Sequence, residues 1–140
     1  MAGNASVIQS ALVLHGYVTT CASAVSQKAS LVAWTDEAEN ARAGFRRIFK
    51  SRRDHLVSLI NSELGLRAVS PDGAFYTMVD VSNHGSSMKV AEAFLQERLI
   101  TVPGSAFGSG GEGFLRVSFC AELDALSEGV QRMKTALAKF

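Results

Sequence analysis

The chain has 140 residues, 47% of them hydrophobic and 19% charged, with a formal net charge of +1. That composition belongs to one ordinary globular domain; it excludes a disordered chain, and near-neutrality gives no bulk attraction to nucleic acid or to an anionic membrane. There is no signal peptide, no apolar run near the ~18 residues of a membrane span, and only two distant cysteines, Cys21 and Cys120, so a cytoplasmic protein with reduced thiols and no metal site is expected.

Residues 5–15, ASVIQSALVLH, carry Val7, Ile8, Ala11, Leu12 and Leu14, which suits a short, mostly buried helix. GYVTTCAS interrupts it, and AVSQKASLVAW resumes helical spacing. Asp36 with Glu39 three positions on has capping-box logic and marks the start of a long helix. Ala38, Ala41, Phe45, Ile48, Phe49, Leu56, Leu59 and Ile60 form its core-facing stripe, and Gly65 closes it in the left-handed cap position. Such a helix spans roughly 40 Å at about 1.5 Å per residue, the length of a strut between two bodies.

The period then changes to two. LRAVSPDGAFYTMVDVS reads as a strand, a turn at 71–73 and a second strand through Val81. NHGSS ends in a serine cap, and MKVAEAFLQERL is a helix with Val90, Phe94, Leu95 and Leu99 inward. ITVP and FLRVSF are strands. The last helix carries Leu123, Leu126, Val130, Met133 and Leu137 on one face. This order predicts an α+β, two-layer fold with helices packed on one face of a small mixed sheet.

Between the last two strands, Gly108, Gly110 and Gly113 match the spacing G-x-G-x-x-G. A dinucleotide loop needs a helix immediately after the glycines, so that helix N-terminal amides meet the phosphate. Here Phe114-Leu115-Arg116-Val117-Ser118-Phe119 follows, which alternates as strand, so the glycines read as a flexible connection. On that strand Leu115, Val117 and Phe119 face the core, and Arg116 faces the other way. Its planar fork matches a carboxylate, yet spacing alone does not separate that role from a solvated arginine.

Arg42, Arg46, Arg47, Lys50, Arg52 and Arg53 crowd one helix, but without aromatic platforms they read as a solvated face. His15, His55 and His84 lie far apart, and Cys120 reads as a small core residue. The chain offers no evident catalytic base.

The run P-x-G-A-F-Y at 71–76, then V-P-G-S-x-F-G at 102–108, then G-E-G-F-x-R-x-S-x-x-A at 111–121 resembles the C-terminal domain of class I and II aminotransferases. These are the pyridoxal-phosphate enzymes of the aspartate aminotransferase family, of fold type I. LHGYVTTCASAVSQKASLVAW at 14–34 resembles the segment before that family's interdomain helix. By position, the resemblance implies that Arg116 binds the α-carboxylate of an amino acid or 2-oxo acid substrate. It implies that residues 1–35 are a remnant of the large cofactor-binding domain, and that 36–140 are the small domain with its linking helix.

The same resemblance implies that residues 102–108 are a mobile loop lining the cleft, and that the enzyme is a homodimer. Residues 5–34 would pack on the large domain, leaving their apolar faces exposed in this chain. The family's Schiff-base lysine stands in a Ser-x-x-Lys context, which none of Lys28, Lys50, Lys89, Lys134 and Lys139 shares. The chain is therefore expected to bind no pyridoxal phosphate covalently and to be inactive alone. A β-lyase of the same fold and a non-catalytic binding or dimerisation module are the alternatives.

Overall fold

A computed structural model describes residues 2–140. The chain forms two compact units that divide between Gly44 and Phe45.

The first unit is helical. Helix α1, Ala5–Val18, starts at Asn4, whose side chain accepts the Ser6 amide at 3.0 Å. Helix α2, Ala24–Ser30, runs into a 3-10 turn at Leu31–Trp34. No residue of α1 or α2 is buried, and Leu12, Leu14 and Trp34 are 56%, 69% and 86% exposed. The mostly buried helix that the apolar spacing of 5–15 predicts is corrected here. A stripe produces burial only where another surface receives it.

Helix α3, Asp36–Glu63, starts at residue 36 as expected, but Asp36 is its first residue and not its cap. Thr35 is the cap: its Oγ1 accepts the Ala38 amide at 3.3 Å, and Asp36, Glu37 and Glu39 fill the first turn. Gly65 has φ 64, as its cap position requires. Of the expected stripe, Leu56 and Ile60 are buried together with Val57, whereas Phe45 and Ile48 are 60% and 47% exposed.

The second unit holds the core. Strands β1 (Arg67–Ala68), β2 (Tyr76–Asp80), β3 (Val102–Pro103) and β4 (Phe114–Ser118) form one sheet in the order β1-β2-β4-β3. Every pairing is antiparallel. The fold is α+β as expected, but the sheet is not mixed. Strands β2 and β3 run the same way and are joined through helix α4 (Ser87–Gln96), the connection that normally joins parallel neighbours. Strand β4 enters between them, so the parallel pair never forms.

Alternation divides the sheet. Val79, Leu115 and Val117 point into a single core with Leu56 and Ile60 of α3, Val90 and Phe94 of α4, and Leu126, Val130 and Met133 of helix α5, Leu123–Leu137. Phe119, just beyond β4, joins them. Each fully buried side chain of this kind contributes about 1.5–3 kcal/mol. Thr77 is the one polar group on the inward side of β2, and its hydroxyl donates to the Val69 carbonyl at 2.7 Å. Leu95 and Leu123, expected inward, are 55% and 40% exposed; Ala136 takes the inner position near the end of α5.

Candidate carboxylate-binding site around Arg116

Strand β4 places Arg116 on the sheet face opposite Leu115 and Val117, as alternation predicts. It sits in register between Met78 of β2 and Val102 of β3. Two rings flank the half-buried guanidinium. Its Cζ lies 5.0 Å from the centre of the Tyr76 ring and 4.8 Å from that of Phe107. Tyr76 comes from β2, and Phe107 ends the 3-10 turn Gly104–Phe107 that follows β3. Cation–π contacts are worth about 0.5–1 kcal/mol each at such exposure. They draw on the cation's charge and leave its N–H groups available. No carboxylate among the described residues pairs with Arg116. A charged fork flanked by aromatic rings, without an acidic partner among the described residues, can receive an anion, best a planar two-oxygen one.

The glycines beside it also let two stretches of backbone meet. A Cβ on Gly104 would overlap the Gly111 carbonyl oxygen and stand 2.7 Å from that of Phe114; a Cβ on Gly111 would overlap the Gly104 carbonyl. The two backbones touch, and only glycine at both positions allows it. Gly108 turns the chain at φ 111. The Gly113 carbonyl accepts the Val81 amide at 2.8 Å, which ties the loop to the end of β2.

Glu112, which the sequence reading passed over, completes the frame. Its carboxylate accepts the Ser87 amide at 2.8 Å through Oε1 and the Ser87 hydroxyl at 3.0 Å through Oε2. These bonds, the backbone one first, hold the Glu112 carboxyl below its ordinary 4.5. The only hint in the sequence is an acid set between two glycines, with nothing to point at Ser87. Tyr76 and Phe107 lie within the family motifs, whose spacing does not show that they meet at Arg116.

Other sequence features are used up structurally. Arg42 pairs with Glu39, Lys50 and Arg53 with Asp54, and Arg52 with Glu122 while donating to the Cys120 carbonyl at 2.8 Å. The basic run is thus largely neutralised by its own neighbours. Cys120 is exposed, not the core residue expected, because the chain leaves the sheet after Phe119. His55 Nε2 bonds Ser127 Oγ at 2.8 Å, and that hydroxyl donates to the Leu123 carbonyl, an interhelical tie without the third member of a catalytic triad. No cluster of three metal-ligating side chains occurs among the described residues, and no described helix is long and apolar enough to cross a membrane.

The model of the family described as aminotransferase class I and II matches residues 1–132. The chain belongs to the class I and II aminotransferases. A probable N-acetyl-LL-diaminopimelate aminotransferase of Bacillus subtilis is 37% identical over 130 residues, covering 91% of this chain and 33% of that protein. The aspartate aminotransferase of Pyrococcus horikoshii is 32% identical over 134 residues, covering 94% of this chain and 34% of its own length. Among solved structures, a Pyrococcus protein superposes with a TM-score of 0.87 at 33% identity, over 99% of this chain and 36% of that one. The aspartate aminotransferase of Thermus thermophilus with maleate gives 0.81 at 30% identity, over 96% and 35%. This aminotransferase chain spans about one third of the length of the relatives it matches.

The family's cofactor calls for a lysine able to form an imine in an enclosed site. All five lysines of this aminotransferase chain are exposed. Lys50 pairs with Asp54, Lys139 with Glu97, and Lys89 lies 5.1 Å from the Phe140 ring centre. None lies on a strand of the sheet and none is enclosed, so these residues do not fit a covalently held pyridoxal phosphate.

Proposed function

We propose that this chain is the C-terminal, substrate-carboxylate-binding part of a pyridoxal-phosphate-dependent aminotransferase that acts on an amino acid and a 2-oxo acid. Arg116 is the clamp for the α-carboxylate. The observation that carries this reading is a guanidinium flanked by Tyr76 and Phe107 with no internal acid to neutralise it. Holding the carboxylate by two parallel N–H bonds fixes the rest of the substrate in orientation, which is where much of the rate advantage of a bound reactant lies. The resemblance further supports a division into a remnant of the large domain, 1–35, and a small domain, 36–140. The exposed apolar residues of α1 and α2 favour packing on the rest of a large domain, the family resemblance favours a homodimer of the intact enzyme, and two free cysteines favour a cytoplasmic location. The basic run makes no case for nucleic acid or membrane as partners, since Arg42, Lys50, Arg52 and Arg53 pair internally.

Arg116→Lys keeps the charge and loses the planar fork. In the intact enzyme we expect retained cofactor and a fall in kcat/KM for amino acids of at least ~10²-fold, about 2.7 kcal/mol of transition-state stabilisation. Decarboxylated amines should lose far less, and equal losses for amines and amino acids would refute the clamp. The 140-residue chain alone, incubated with pyridoxal phosphate and reduced with borohydride, should keep its mass. A stoichiometric adduct would show that one of its lysines is the imine former after all.

A further inference from the structure

We infer that Glu112 is a positioning residue: through Ser87 it fixes the loop 104–113 against the start of α4, and so holds Phe107 against the guanidinium of Arg116. This rests on the reading of Arg116 as the carboxylate clamp.

Ser87 is the first residue of α4 and is wholly buried, so its amide and hydroxyl have no solvent to turn to. Both are taken by the two oxygens of one carboxylate, at 2.8 and 3.0 Å. Two bonds from one residue fix the carboxylate's plane as well as its place, and bonds to an ionised acceptor are worth roughly twice a neutral pair. The Ser87 hydroxyl also hydrogen-bonds that of Ser105 at 3.2 Å. Ser105 stands two residues before Phe107. The backbone contact of Gly104 with Gly111 then closes the loop on itself. Phe107 is thereby held from both sides, though its own ring is 56% exposed and has little packing of its own to fix it.

A simpler role would be a helix cap for α4. Ser86 is the N-cap and its hydroxyl accepts the Lys89 amide at 3.3 Å, so Glu112 caps only the separate amide of Ser87, and its bond to the Ser87 hydroxyl goes beyond capping. Glu112 comes from 25 residues downstream of Ser87, in the strand-to-strand loop that leads directly into β4. A carboxylate brought from there serves the loop.

The test uses the 140-residue chain with isotope-labelled arginine side chains at neutral pH. The order parameter of the Arg116 Nε–H group should lie near the rigid range, about 0.85, and fall below about 0.6 in Glu112→Gln. The backbone amide signals of β2 and β4 should stay in place. Glu112→Asp keeps the charge but shortens the reach, and should release Arg116 as the glutamine does. Phe107→Leu should release it with Glu112 intact, and is decisive if Glu112→Gln unfolds the chain. A rigid Arg116 in folded Glu112→Gln, or in Phe107→Leu, overturns the proposal. Acetate titration of the wild-type chain separates the two readings. If acetate leaves the Arg116 signal unmoved while Glu112→Gln still frees the side chain, the positioning role stands and the carboxylate clamp fails.

Discussion

The two units of this chain are almost equally rich in apolar spacing and opposite in what they do with it. Residues 5–34 carry Leu12, Val13, Leu14, Val25, Val32 and Trp34, all more than half exposed. From Leu56 onward the same residue types close into one core in which Ile60, Val90, Leu115 and Val130 are wholly buried. The difference is the sheet. In the second unit it supplies a broad apolar face on which three helices converge, and burial grows from their mutual contact. In the first unit α1 and α2 have no such face within their own unit. Amphipathic periodicity is a statement about what a helix needs, and a separate surface has to satisfy it.

Mutations should break that comparison first at the core. Ile60→Ala or Phe94→Ala should lower the unfolding free energy by about 2–5 kcal/mol, read from the shift of the denaturant midpoint. Leu12→Ala or Leu14→Ala should change it by no more than about 0.5 kcal/mol. A core-sized loss at Leu12 would mean that α1 is buried in solution, for instance against a second copy, and its dependence on protein concentration would reveal that.

A smaller effect sharpens the picture of the loop. Gly104→Ala drives a methyl into the Gly111 carbonyl, and the resulting shift should cost about 1–3 kcal/mol. Gly110→Ala meets no atom within 4 Å and should be nearly silent. Equal tolerance at both positions would show that the loop is loose and that its glycines serve motion.

Acid should have the gentlest effect, and three carboxyl groups of the second unit contribute to it. Asp54 is held below its ordinary 3.8 by hydrogen bonds from Lys50 and then Arg53, and Asp80 below 3.8 by the Ser82 hydroxyl and amide and by Arg67. Glu112 lies below 4.5 through Ser87. Each folded value lies under its unfolded one, so the stabilisation is complete above the ordinary values and lost as pH falls through the folded ones. Stability should hold steady from neutral pH down to about 4.5 and decline below it. Glu112→Gln should flatten the upper part of that decline; an unchanged acid limb would mean that the Ser87 bonds are not formed in solution.

Much of this was legible in the residues. Alternation in FLRVSF assigned Leu115, Val117 and Phe119 to the core and Arg116 to the opposite face, because a strand's two faces follow from its period alone. A carboxylate role for Arg116 was not legible that way, since a solvated arginine has the same spacing; the proposal of it comes from the family motifs. The antiparallel order was hidden because the β2–α4–β3 connection looks the same whether or not another strand enters between. The Glu112–Ser87 bond joins positions 25 residues apart, and the touching glycines Gly104 and Gly111 meet across an irregular loop; no periodicity rule reaches either. Cys120 misled because the strand ends at Ser118 and Phe119 is the last residue turned into the core.

The central claim is that Arg116 is a carboxylate clamp presented between two rings. It is tested most directly by a crystal structure of the intact protein with maleate bound. The account predicts two Arg116 N–H groups on the two oxygens of one maleate carboxylate, at about 2.7–2.9 Å, with Tyr76 and Phe107 still against the guanidinium. Maleate held elsewhere, with Arg116 touching only its two rings, would contradict it.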